Sequence, residues 1–127
     1  MSKIFGAGID LIEISRINKS IKNKNFIDRI FSKSEIQKAR SLKNKSFYFA
    51  KRFAAKEAFS KAIGTGISEG ISFKEIAIVN NKKGKPSIKL SGKTKNIVLK
   101  KIKKKAKVHL SLSDEAKYAV AMVIIEQ

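Results

Sequence analysis

The stretch Phe47 to Gly64, FYFAKRFAAKEAFSKAIG, constrains the chain more than any other. Its apolar residues recur at helical spacing. Ser46 precedes it as a start signal and Gly64 follows as a C-terminal cap, so the spacing predicts one long helix. At about 100° per residue, Glu57 shares a face with Ala50, Phe53, Ala54 and Lys61, with Phe47 and Ala58 a little further round. A carboxylate in such a stripe is costly to bury unless it is paired or bound to a metal. Lys61 lies one turn further on, so an ordinary Glu57–Lys61 surface pair is one reading of this spacing.

Shorter elements surround this helix. Lys3 to Ile14 reads as a strand in which Gly6 and Gly8 allow a bend or bulge. Ser15 is a candidate cap for a short helix beginning at Arg16. Ser32 followed by Glu35 matches a capping box and predicts a helix from Lys33 to about Leu42. Ser72 to Val79 reads as a strand, NNKKGKP as a turn, and Ser87 to Leu90 as the returning strand of a hairpin. Ile97, Val98 and Ile102 punctuate the tract Lys100 to Lys105 at helical spacing, so the tract reads as a solvated helix face. VHLSLS alternates, with His109, Ser111 and Ser113 on one face and Val108, Leu110 and Leu112 on the other. YAVAMVIIE supplies its partner strand across Asp114 to Lys117. Helices with mostly antiparallel strands argue for an α+β fold. The 127 residues suit one domain spanning 1–127, in which subunit association is a plausible supplement to a small core.

Charge and composition narrow the function classes. The net charge is +19, almost all from lysine; arginine occurs only at Arg16, Arg29, Arg40 and Arg52. Isoleucine and asparagine are also abundant, a pattern that codon bias would itself produce. Whatever its origin, such a field speeds encounter with acidic proteins or phosphate-rich ligands. A small nucleic-acid-binding module is the alternative that the charge supports. Against it, most phenylalanines fit helix or core positions, there are only two tyrosines, and no stacking platform emerges. The absence of cysteine excludes disulfides, thiolate metal sites and cysteine nucleophiles, and is compatible with a cytoplasmic setting. No apolar run approaches the ~18 residues of a membrane span, and Asp10 and Glu13 interrupt the apolar start, so neither membrane nor export is expected.

Taken one at a time, the polar residues have bland readings. Asp10, in GAGIDLIEI, could be a strand aspartate satisfied by backbone amides, Glu13 a solvent-facing neighbour, and His109 a half-buried strand histidine. Gly64 to Gly66 match neither a Walker loop nor a dinucleotide fingerprint. A structural domain that keeps these residues without turnover is a further alternative.

Together, however, GIDLIEISRI near the start, RFAAKEAFSKAIGTGI in the middle and HLSLSDEAKYAVAMVIIE at the end resemble the acyl-carrier-protein synthase group of 4'-phosphopantetheinyl transferases. The three segments occur in that family's order and span nearly the whole chain. The resemblance implies a transfer of 4'-phosphopantetheine from coenzyme A (CoA) to a serine of an acidic acyl carrier protein, supporting fatty acid biosynthesis. It implies Asp10 and Glu57 as ligands of Mg²⁺, Glu57 as acceptor of the serine proton and Lys61 as the group facing the leaving phosphate. Arg52 and His109 resemble contacts to the CoA phosphates, with Ser60, Lys61, Gly64 and Thr65 near the same ligand and Lys85 and Pro86 beside the adenine. Arg16 matches a carrier-docking arginine, to which Lys22 and Lys24 are added as neighbouring cations. Members of this kind are homotrimers with sites between subunits, so Arg52 and His109 need not serve the subunit that holds the metal. The lysine-rich connections depart most from the family pattern, and the contacts carried there follow least directly.

Overall fold

The structure is a computed structural model that describes residues 2–64 and 69–127. Its order is β1 (Ile4–Glu13), α1 (Ile14–Ser20), α2 (Lys24–Ile30), α3 (Lys33–Arg40), α4 (Lys45–Ile63), β2 (Ile76–Asn80), β3 (Pro86–Leu90), α5 (Gly92–Lys101), β4 (Lys107–Glu115) and β5 (Tyr118–Glu126). The fold is α+β. One antiparallel sheet has the order β1-β5-β4, and β2-β3 form a separate antiparallel hairpin. No helix among the described residues is long and apolar enough to cross a membrane.

Alternation along the strands sets the layers. Ala119, Ala121, Val123 and Ile125 of β5 are fully buried. Their cross-strand partners on β1 are Ile12, Asp10, Gly8 and Gly6. This is the face on which α4 packs, because both glycines lie against its backbone. A Cβ added at Gly6 would meet the Ala62 carbonyl oxygen at 2.0 Å, and one at Gly8 would meet the Ala58 carbonyl oxygen at 1.9 Å. The bend expected at Gly6 is present as a register shift between Ile4 and Gly6. The glycines therefore bring a strand and a helix closer together than side chains allow.

Several boundaries differ from expectation for local reasons. Ser15 does not cap α1; Glu13 is the N-cap residue, and Ser15 Oγ donates to the Glu13 carboxylate at 3.2 Å. Ser46 likewise lies inside the first turn of α4 and donates to Oδ1 of Asn44, the N-cap residue, at 3.2 Å. Each hydroxyl binds a longer polar side chain just upstream instead of a free helix amide. Helix α2 was not anticipated; Asn23 caps it by accepting from the Asn25 amide. The strand expected from Ser72 starts only at Ile76, after a 3-10 turn at Phe73–Glu75. The lysine tract is not one helix face. Helix α5 ends at Lys101, Ile102 is extended and buried, and Lys103 to Lys105 lie beyond the helix. By contrast, the capping box at Ser32 and Glu35 forms in full, and Gly64 closes α4 in the left-handed region at φ 87°.

A charged node, which the sequence does not advertise, lies inside the core. Lys56 and Glu35 are fully or almost fully buried, at 0% and 1% exposure. Lys56 Nζ donates to Glu35 Oε1 at 2.8 Å, to the Phe73 carbonyl at 2.8 Å and to the Ile76 carbonyl at 2.7 Å. Glu35 Oε1 also accepts from the Ser32 amide, and Oε2 from the Ile78 amide at 2.8 Å. All three ammonium protons and both carboxylate oxygens are thus used, which is what makes a buried ion pair tolerable. Burial depresses the proton affinity of Lys56, and the adjacent Glu35 carboxylate opposes that shift.

The glycine contact yields a direct prediction. Gly8→Ala forces α4 off β1 and should destabilise the fold by about 1–3 kcal/mol or more. Urea unfolding followed by circular dichroism measures this, and an unchanged midpoint would refute the close packing.

Candidate functional site

The close approach at Gly8 assembles the first cluster. Asp10 is the next residue on the same face of β1, and Glu57 immediately precedes Ala58, whose carbonyl Gly8 touches. Lys61 reaches back from α4 and donates to Asp10 Oδ1 at 3.2 Å and to the Ile9 carbonyl at 3.0 Å. The lysine therefore pairs across to β1, and no Glu57–Lys61 salt bridge forms. Glu57 is half-buried. Burial raises its proton affinity above that of an ordinary glutamate, the Asp10 charge raises it further, and Lys61 partly offsets both.

Two carboxylates that repel one another beside the single ammonium of Lys61 form a cluster short of positive charge. Among the described residues no third His, Cys, Asp or Glu joins them as a metal cluster. That donor set fits Mg²⁺, which takes one or two carboxylates and completes its shell with substrate phosphate oxygens and water. It does not resemble a closed all-protein cage.

The helical period separates a second cluster from the first. Arg52 precedes Glu57 by five residues, which turns it about 140° around α4. There the guanidinium stacks 4.0 Å from the centre of the Tyr48 ring, and Nη2 donates to Asn80 Oδ1 on β2. Arg52 Nε is buried without a hydrogen-bond partner among the described residues. Asn80 Nδ2 donates in turn to the Gly84 carbonyl at 2.8 Å, which ties the hairpin turn to this arginine. Arg52, Asn80, Lys85 and Pro86 line a cleft of about 390 Å³ whose other wall is β4 at Leu110 to Leu112. An adjoining cleft of about 410 Å³ carries Lys85, Pro86 and His109. His109 Nε2 lies 3.0 Å from Glu126 Oε1. The Glu126 carboxyl is held below the usual range, first by a hydrogen bond from Ser2 and then by His109.

The sequence-derived candidates therefore fall into groups. Asp10, Glu57 and Lys61 meet at the β1–α4 contact. Arg52, Lys85, Pro86 and His109 meet along the two joined clefts, none of whose walls includes Asp10, Glu57 or Lys61. Ser60 is buried in α4, and Gly64 is exposed at its end. Thr65 lies outside the described residues. Arg16 on α1, Lys22 in the turn and Lys24 at the start of α2 are exposed along one continuous stretch. Lys24 additionally faces Asp28 at 3.7 Å. Asn80, Tyr48 and the Glu35–Lys56 pair were not singled out from the sequence. The one available signal was a lysine, Lys56, sitting between alanines at 54, 55 and 58 that are all fully buried.

Comparison with known proteins bears on these clusters. A family model described as the 4'-phosphopantetheinyl transferase superfamily matches residues 6–123. A holo-[acyl-carrier-protein] synthase of Pelagibacter ubique is 53% identical over 126 residues, covering 98% of this chain and 98% of its own. Among solved structures, the holo-[acyl-carrier-protein] synthase of Neisseria meningitidis superposes with a TM-score of 0.86 at 36% identity, covering 98% of this chain and 100% of its own. A Bacillus anthracis synthase in complex with CoA (3',5'-ADP) superposes with a TM-score of 0.81 at 40% identity, covering 98% of this chain and 97% of its own.

Proposed function

Because the chain belongs to the 4'-phosphopantetheinyl transferase superfamily and is an enzyme of its holo-acyl-carrier-protein synthase group, we propose that Asp10, Glu57 and Lys61 form the reacting centre of a magnesium-dependent transfer from CoA to apo-acyl carrier protein. The observation that carries this reading is the pair of mutually repelling carboxylates at the β1–α4 contact, with one exchangeable ammonium beside them. Asp10 and Glu57 would hold the ion, which supplies charge neutralisation to the CoA pyrophosphate when bound.

The chain's own residues then do the following. The carrier serine hydroxyl attacks the β-phosphorus of CoA, and the bond from that phosphorus to the bridging oxygen breaks. Adenosine 3',5'-bisphosphate leaves with the bond electrons. Glu57 accepts the serine proton directly or through a water. Lys61 is more than half exposed on a flexible stem, so it can turn from Asp10 to the leaving phosphate oxygens. Arg52 and Lys85 supply positive groups along the clefts for the remaining phosphates, His109 offers a ring nitrogen to them, and Pro86 offers an apolar edge to the adenine. Ser60 and Gly64, in and just after the last turn of α4, and Thr65 are proposed as further CoA contacts. Most of the catalysis in such a site is alignment and charge neutralisation.

The separation of the two clusters favours a homotrimer with sites between subunits. Ile9, Leu11 and Met122 are 61%, 63% and 45% exposed on the sheet face turned away from α4. Ile9 pairs with Met122, and Met122 with Ser111, so this apolar face runs on to the side of β4 that carries His109. An exposed apolar face of this kind marks an association surface. A subunit packed on it would bring one chain's carboxylates towards another's cation-lined cleft. For the carrier, exposed Arg16, Lys22 and Lys24 offer a basic strip to an acidic partner, and fatty acid synthesis in the cytoplasm is the proposed setting.

Three outcomes test this reading. Glu57→Gln should leave a folded protein whose transfer rate falls by about 10²–10³ or more; full activity would remove Glu57 from the centre. Arg16→Glu should raise the KM for the carrier about tenfold, or ~1.4 kcal/mol, with the KM for CoA unchanged; an unchanged carrier KM would reject the docking strip. Leu11→Asp should convert a species of three times the chain mass into monomer in sedimentation experiments and abolish transfer. A monomeric parent protein would overturn the shared site.

A further inference from the structure

The β2–β3 hairpin is not hydrogen-bonded to the three-stranded sheet. Main-chain pairing therefore leaves its position against α4 undetermined. Among the described residues, three side chains connect its strands to the helices by hydrogen bonds. Arg52 bonds Asn80, Lys56 bonds the Ile76 carbonyl, and Glu35 bonds the Ile78 amide. Two of the three are the buried ion pair. We propose that Glu35 and Lys56 are positioning residues for CoA. Their pair locks the hairpin onto α4 and so fixes the width of the cleft between Arg52, Lys85 and Pro86. This inference rests on the CoA reading of that cleft.

The geometry favours positioning over bulk stabilisation. Glu35 comes from α3 and uses one oxygen on β2 and the other on Lys56 and on its own helix cap. Lys56 divides its other two protons between the 3-10 turn and β2. The Lys56 bond lies at the base of the hairpin at Ile76 and the Glu35 bond at mid-strand at Ile78, while Arg52 holds Asn80 at the far end, beside Pro86. Without the pair, Arg52–Asn80 would be the one side-chain hydrogen bond, among the described residues, between the hairpin strands and the helices. Apolar side chains of matching volume could fill this space with similar stability. They would not replace the directional hydrogen bonds to the 3-10 turn and β2. Asp10 and Glu57 meet at the Gly8 contact, and neither takes part in the hydrogen bonds of this node.

The test compares Glu35→Gln/Lys56→Met with the parent enzyme in steady-state assays of carrier modification. The KM for CoA should rise about tenfold or more while kcat at saturating CoA stays within about twofold, the pattern of lost binding alignment without lost chemistry. Val98→Ala, a cavity variant under α5, serves as a control matched for thermal stability and should keep the parent's KM. A parental CoA KM in the folded double variant, or an equal rise in the control, would overturn the proposal. Should the double variant not fold, hydrogen exchange in the free parent enzyme decides. The amides of β2 and β3 should then be as protected as those of α4, and hairpin exchange about 100-fold faster than α4 would show that the pair does not hold it. Arg52→Ala separates the two ideas. If it leaves the CoA KM unchanged, the cleft reading itself fails. If it raises the CoA KM while the double variant does not, only the positioning role falls.

Discussion

The arrangement depends on one close contact, the backbone of β1 lying against the backbone of α4 at Gly6 and Gly8. Each glycine lies where a methyl group would overlap a helix carbonyl oxygen at 2.0 Å or less. With a side chain at either position, strand and helix would stand further apart, and Asp10 and Glu57 would no longer share a local field. The repulsion between these carboxylates and the partial burial of Glu57 follow from that contact. The chain thereby holds two carboxylates beside one ammonium, an arrangement whose charge a bound cation would complete.

A second constraint is the period of α4. Five residues separate Arg52 from Glu57, so the helix directs them into different surroundings: one towards the hairpin and β4, the other towards β1. A single chain thus keeps its paired carboxylates and its arginine-lined cleft in two different places. The exposed apolar face formed by Ile9, Leu11 and Met122 supplies a physical reason for chains to associate. The same sheet face continues to the side of β4 that carries His109.

Much of this was legible in the sequence where the determinants are local. The helix over Phe47 to Gly64, the capping box at Ser32, the alternation of VHLSLS and the strand YAVAMVIIE depend on neighbours within a few residues. Caps at Ser15 and Ser46 were misassigned because an acceptor two residues upstream captured each hydroxyl. The end of α5 was missed because neither glycine nor proline marks it; the chain turns there to bury Ile102. The Glu35–Lys56 pair was hidden for a different reason. Its partners are 21 residues apart, and Glu35 already had a sufficient local explanation as a capping residue. For the site, Asp10, Glu57 and Lys61 were each ambiguous by pattern, and it took the resemblance of three ordered segments to raise them together. The pairing of Lys61 with Asp10 instead of Glu57 was accessible only from the fold, since it joins residues 51 positions apart.

The central claim is that this chain transfers phosphopantetheine through the Asp10–Glu57 cluster with magnesium. Mass spectrometry of apo-acyl carrier protein incubated with the enzyme, CoA and Mg²⁺ tests it most directly. The carrier should gain the mass of one phosphopantetheine, a gain abolished by EDTA and restored by excess Mg²⁺. An unmodified carrier, or modification that persists undiminished in EDTA, would contradict it.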